Sequence, residues 1–196
     1  MNIDTEHLHY WMNAVRQSPD PMRTLDAFWQ GQMRSKEWLI DNLTKFIHSS
    51  VRIDIHGGWV GTLASLIFQS NIPTHYICSV DLDPTCEPIA TMMNKMEEQQ
   101  GRFRAITSDM CTVPVSGNVI INTSCEHITQ EQYDIWLNRL PANSIIVLQS
   151  NNYKISEHIR TAQTIEEFKQ QSHLTELWSG SLKTQLYDRW MIIGHK

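Results

Sequence analysis

No run of apolar residues in this chain is long enough to cross a bilayer, and no basic stretch followed by an apolar one opens it. The expectation is a soluble, cytoplasmic protein with no membrane partner. Cysteine is scarce: Cys78, Cys86, Cys111 and Cys125 lie far apart and form no C-x-x-C pair. That spacing argues against a zinc framework or a disulfide scaffold, so reduced interior thiols are expected and no metal centre. Positive charge is also short, with 16 Lys and Arg against 21 Asp and Glu and a formal net charge of −5. A phosphate backbone is not generally attracted to such a chain, which makes nucleic acid a disfavoured partner and a small molecule the expected one. There is no internal repeat and no low-complexity segment, and nothing in the sequence sets an oligomeric state.

What is present is 196 residues, 41% of them hydrophobic, enough for one domain with a substantial core. Residues 1–50 read as a helical cap belonging to that domain. Leu8, Trp11, Met12 and Val15 fall at helical spacing, as do Met22, Leu25, Phe28 and Trp29, and a third stripe runs from Trp38 and Leu39 to Phe46 and Ile47. Such stripes either pack on a core or close over a site. Residues 51–196 alternate between strand and helix. "VRIDI", "HYICSVDL", "RFRAITSDM", "NVIINTSC" and "SIIVLQSN" read as strands, and helical faces lie between them at Val60 to Phe68, at Ile89, Met93 and Met96, and at Tyr133 to Leu140. Thr129 with Gln132 and Thr164 with Glu167 have capping-box spacing. Alternation implies right-handed crossovers and a parallel sheet covered on both faces. The last two strand-like runs, "HLTELWSGSLK" and "YDRWMIIGHK", are too close for a helix between them and are expected to pair as an antiparallel hairpin. The fold class expected is therefore α/β, a three-layer sandwich with a mostly parallel, Rossmann-like sheet.

In an open α/β sheet, ligands bind outside the carboxyl ends of the strands. The polar residues there are His56 to Gly58, Asp81 and Asp83, Ser108 and Asp109, Asn122 to His127, and Gln149 to Asn152. Glycines in the first turn admit a ligand close to the backbone. Asp81 stands about twenty residues on, where an acid takes ribose hydroxyls in nucleoside-binding sheets or simply caps the next helix. A dinucleotide calls for G-x-G-x-x-G, and "HGGWVG" lacks its first glycine.

In this order, "VRIDIHGGWVG", "VDLDP", "AITSDM" and the closing hairpin resemble the class I S-adenosylmethionine-dependent methyltransferases over roughly residues 50–196. "NTSCEHI" and "LQSNNY" are similar to segments of small methyltransferase-like proteins. The resemblance implies S-adenosyl-L-methionine as cofactor, with Asp54, His56, Gly57, Gly58, Trp59 and Gly61 at its aminoacyl end, Asp81 and Leu82 at the ribose, and Asp109 and Met110 at adenine. The family's D-x-G-x-G-x-G is altered: His56, Gly58 and Val60 hold its glycine positions, with Gly57 and Gly61 displaced by one. His56 either replaces a glycine contact or adds a polar one.

Methyl transfer is an in-line displacement that needs positioning, desolvation and, for a protonated acceptor, a base. The acceptor end lies beyond the fourth strand, where Asn122 orients and Glu126 or His127 serves as base, unless the pair only leads into the next helix. "NTSC" is not the N/D-P-P-aromatic tetrapeptide of enzymes that methylate exocyclic amines of DNA bases or glutamine amides. Ser124, Gln149, Asn151 and Asn152 add polar groups to the rim. Tyr187 and Arg189 share a strand face, from which Arg189 pairs either with a substrate carboxylate or in a surface ion pair. Trp38, with Lys36, closes over the pocket or joins the core. The expected activity is methyl transfer to a small polar or carboxylate-bearing acceptor, the alternatives being other chemistry on the same sulfonium or a non-catalytic cofactor-binding subunit.

Overall fold

A computed structural model describes residues 4–196. Helix α1 (Thr5–Gln17) starts at Asp4, whose carboxylate accepts the Glu6 amide at 3.0 Å. Its buried face is His7, Trp11, Ala14 and Val15, while Leu8 and Met12 are exposed. The expected stripe is thus rotated by about one residue. Two polar ties set that rotation: Trp11 donates to Ser65 Oγ at 2.8 Å, and His7 Nε2 lies 2.9 Å from Glu97 Oε1.

Helix α2 (Pro21–Asp26) has proline at a first-turn position and Asp20 as cap. It is too short to bury the stripe read from Met22 to Trp29. Met22, Leu25 and Trp29 are exposed, and only Phe28 reaches the core, against Trp11. Helix α3 (Gln30–Leu43) buries Leu39, Ile40 and Leu43.

From Val51 the alternation holds. The strands are β1 (Val51–His56), β2 (Thr74–Asp81), β3 (Phe103–Thr107), β4 (Val119–Asn122), β5 (Ile145–Asn151), β6 (Thr175–Lys183) and β7 (Asp188–His195). They form one sheet in the order β3-β2-β1-β4-β5-β7-β6; β1 to β5 are parallel, and β7 runs antiparallel to both β5 and β6. Strand order reverses between β1 and β4, which makes their tips the switch point of the sheet. The crossover helices are α4 (Thr62–Phe68), α5 (Cys86–Met93), α6 (Lys95–Gln99), α7 (Gln130–Arg139) and α8 (Ile165–Ser172).

Pro88 sits in the first turn of α5, where its missing amide breaks no bond of the helix. The face read through Met96 is split instead at Asn94, whose buried side chain donates to Gly61 O at 3.0 Å and Ala90 O at 2.9 Å. Thr129 and Gln132 complete a reciprocal capping box on α7. At α8 only half of one forms: Thr164 accepts the Glu167 amide, and Glu167 reaches the Gln163 amide instead of the cap's own.

One face of the sheet (Ile53, Ile55, Val147, Met191) packs with α1, α3, α4 and α5; the other (Ile120, Ile146, Leu148, Ile192) packs with α7 and α8. Alternation along each strand sends successive side chains to opposite layers. Cys78, Cys86 and Cys125 are buried, all four cysteines are free, and no described helix is long and apolar enough to cross a membrane.

Candidate functional site

The glycine turn after β1 is built on positive φ: Gly57 at 69°, Trp59 at 49° and Gly61 at 78°. Glycine adopts such angles freely, whereas Trp59 does so at a cost of about 1–2 kcal/mol. A side-chain carboxylate offsets that cost. Asp81, at the tip of β2, accepts the Trp59 amide at 2.7 Å and the Asp83 amide at 3.0 Å. The amides of Gly57 and Gly58 both donate to Val80 O, so the turn is stitched to the end of β2. Gly58 is pressed in closely: a Cβ on it would stand 2.0 Å from Ser79 Oγ. Leu82, beside Asp81, is exposed, as is Asp109 beyond β3. Asp83 caps the turn ahead of α5, and hydrogen bonds from Thr85, joined by Arg23, lower its pKa to about 2.

Asp54 and His56, on β1 directly ahead of the glycine turn, are held by other parts of the protein. The Asp54 carboxylate accepts the amides of Ser116 and Gly117, both at 2.8 Å, and so anchors the segment that enters β4. His56 is enclosed, and its Nδ1 accepts from Trp136 Nε1 at 2.6 Å, which places the imidazole proton on Nε2. Burial, partly offset by Asp54, lowers its pKa to about 4, so the ring is neutral. Both side chains thus have protein partners, Asp54 through one carboxylate oxygen and His56 through Nδ1.

Beyond β4 the chain turns sharply. Asn122 Oδ1 accepts the Ser124 amide at 2.9 Å and its Nδ2 reaches Met110 Sδ at 3.5 Å. Ser124 packs against the glycine turn, 3.3 Å from where a Cβ on Gly57 would be. A short 3-10 turn, Cys125–His127, then buries Glu126 and exposes His127.

Glu126 opens a buried polar chain. Its Oε1 accepts Asn151 Nδ2 at 2.6 Å and lies 3.6 Å from Arg189 Nη1. Arg189 donates to Gln149 Oε1 at 3.0 Å and to Thr123 O, and Gln149 is bonded in turn to Ser35 of α3 at 2.9 Å. The surface ion pair read for Arg189 is absent, and the guanidinium is spent on this chain because the register of β7 against β5 sets Arg189 opposite Asn151 inside the sheet. Gln149 and Asn151 are likewise buried and fully engaged. Asn152 accepts the Asp188 amide at 2.9 Å. Tyr187 precedes β7 and stacks on Tyr153, ring centroids 5.5 Å apart, so it does not share a strand face with Arg189. Trp38 packs edge-on against Trp178 as part of the core.

Two participants carried no readable pattern. Ser35 is one of several polar residues on α3, and His158 lies 31 residues beyond His127 in an irregular segment. Lys36 keeps a partly exposed stem, but its amine is enclosed, bonds Gln32 Oε1 at 3.0 Å and has its pKa lowered by burial and by Arg189 to about 7. A concavity of about 310 Å³, lined by Pro84, Glu87, Pro88, Thr91, Met92 and Lys95, lies along α5, and its Glu87 accepts the amide and hydroxyl of Thr107 at the tip of β3.

No family model and no curated protein matches the sequence. Solved structures do match. Magnesium protoporphyrin IX methyltransferase (ChlM) from Synechocystis PCC 6803, with bound SAH, superposes with a TM-score of 0.67 at 10% identity, covering 96% of this chain and 93% of that one. The fold is that of the class I S-adenosylmethionine-dependent methyltransferases. Geranyl diphosphate C-methyltransferase from Streptomyces coelicolor A3(2) shares this methyltransferase fold at a TM-score of 0.64 and 10% identity, over 84% of this chain and 76% of that one. MtNAS, in complex with MTA and tNA, shares it at 0.63 and 11%, over 97% and 70%.

Proposed function

We propose that this chain binds S-adenosylmethionine across the tips of β1, β2 and β4 and transfers its methyl group to a small polar or carboxylate-bearing acceptor. The observation that carries the reading is the 2.7 Å bond between the Asp81 carboxylate and the Trp59 amide, which puts an acid beside the glycine turn. The fit is good: Asp81 is partly exposed and each of its oxygens takes one amide, whereas a carboxylate offers about four acceptor positions. Ribose hydroxyls take the remainder, flanked by Leu82. Asp109 and Met110 border adenine, and Gly57, Gly58 and Gly61 leave room for the aminoacyl end. Asp54 and His56 act from behind, holding β1 against β4 and α7.

The bound cofactor supplies a methyl carbon made electrophilic by its sulfonium. Ser124 lines the path beyond it, held by Asn122 behind it, and Glu126 and His127 stand at the acceptor end. The buried chain through Asn151, Arg189, Gln149 and Ser35 fixes that end to β5, β7 and α3, which serves positioning. With Arg189 engaged internally, Lys36, its pKa lowered to about 7, is the amine that an acceptor carboxylate would draw into the charged form; Asn152 and Tyr187 frame the rim. Class I neighbours that bind SAH support methyl transfer. The MtNAS complex with MTA supports a second reading, in which another carbon of the same sulfonium is attacked.

Isothermal titration with S-adenosylmethionine and S-adenosylhomocysteine tests the proposal. One-to-one binding lost in Asp81→Ala supports it; absence of binding to the folded wild-type chain overturns it. In turnover, S-adenosylhomocysteine as product marks methyl transfer and methylthioadenosine marks the second reading.

A further inference from the structure

We propose that Glu126, His127 and His158 hold a divalent first-row transition-metal ion at the outer end of the β4 tip. One ligand atom from each lies within 4.8 Å of the other two. The imidazoles are oriented from behind. His127 Nδ1 lies 3.1 Å from Glu157 O, and His158 Nδ1 lies 2.7 Å from Tyr153 O. A carbonyl accepts only, so each Nδ1 carries the proton and each Nε2 presents a lone pair, the arrangement that backbone carbonyls impose on metal-binding histidines. The rings stand edge to face, 83° apart with centroids separated by 4.7 Å.

The carboxylate supplies an independent observation. Glu126 is 3% exposed; its Oε1 serves Asn151 and Arg189, while its Oε2 is buried with no hydrogen-bond partner. A buried charged oxygen without a partner is costly, and a cation coordinated there removes the cost. The loop carrying His158 is locked to the same residue, because the amides of Ile159 and Arg160 donate to Glu126 O at 2.9 and 3.1 Å. Three residues from two segments are therefore held near a common point, and among the described residues Glu126 Oε2 has no hydrogen-bond partner.

Two neutral imidazole nitrogens and one carboxylate oxygen suit zinc, cobalt or iron(II) better than calcium or magnesium, which take oxygen alone. Bonds of about 2.0–2.2 Å set ligand atoms about 3.3 Å apart in a tetrahedron, so binding an ion would draw the three atoms together from within 4.8 Å. Three protein ligands leave a coordination position open, as in catalytic rather than structural sites. An acceptor bearing an oxygen donor is the class that would fill that position. This last step rests on the methyl-transfer reading; the metal site does not.

The test is a titration of the chelator-stripped, full-length chain with cobalt(II), followed by visible absorption, and with zinc by calorimetry. One ion per chain is expected, with at least tenfold weaker affinity in each of His127→Ala and His158→Ala. His127 is exposed and His158 half-buried, and thermal melting in chelator checks that the variants fold. Absence of one-to-one uptake, or uptake of equal affinity in wild type and both variants, overturns the proposal. S-adenosylhomocysteine binding by the stripped protein is read separately, so failure of the metal site and failure of the cofactor site are distinguishable.

Discussion

Asp81 and Trp59 are joined by a 2.7 Å hydrogen bond from the tryptophan amide to the aspartate carboxylate, with Trp59 held at a φ of 49°. The bond ties the tip of β2 to the turn after β1 and stabilises a backbone angle that tryptophan rarely adopts. The same carboxylate is the proposed ribose ligand. Its two roles separate by substitution.

Asp81→Asn keeps an oxygen for the Trp59 amide but loses the charge, so the fold persists and S-adenosylhomocysteine affinity falls at least tenfold. Asp81→Ala loses the tie as well, with a further stability loss of about 1 kcal/mol. Calorimetric titration and urea denaturation read the two effects.

Gly58 is held against Ser79, and Gly58→Ala places its Cβ 2.0 Å from Ser79 Oγ. Overpacking of this kind costs about 1–3 kcal/mol. Adding Ser79→Ala removes the obstructing oxygen and should recover most of the loss. Strict additivity in the double-mutant cycle is the contrary result.

His56 sets a pH dependence. Its pKa is lowered from 6.5 to about 4, so between these values the unfolded chain binds more protons than the folded one. Stability is therefore full above about 6.5 and declines as pH falls toward 4, by on the order of 3 kcal/mol. His56→Gln flattens that part of the curve, measured as denaturation midpoints against pH.

Glu126→Ala leaves the Arg189 guanidinium buried beside Gln149 and Thr123 without its carboxylate. The expected cost is about 3 kcal/mol in urea denaturation. Combining it with Arg189→Met costs less than the sum of the two single changes, because the charge left unpaired is gone.

The strands and their order of appearance were legible because each is an Ile- and Val-rich run ending in polar residues, and the hairpin was legible because too few residues separate its strands. The place of Asp81 beside the glycine turn was legible too, through its spacing from that turn. Helical rotation was not: whether α1 buries Leu8 or His7 depends on Glu97 and Ser65, 90 and 54 residues from their partners. The sequence also hides which polar strand-end residues are spent internally. His56, Gln149 and Arg189 look like ligand groups in one dimension, yet Trp136, Ser35 and Glu126 take them up. His158 has no pattern at all and reaches His127 only through the fold.

The position of S-adenosylhomocysteine in a crystal of its complex with this protein is the most direct measure of the central claim. The ribose hydroxyls are predicted within hydrogen-bonding distance of Asp81, with the sulfur directed past Ser124 toward Glu126. A ligand lodged away from the β1 and β2 tips, with Asp81 contacting only Trp59 and Asp83, would contradict it.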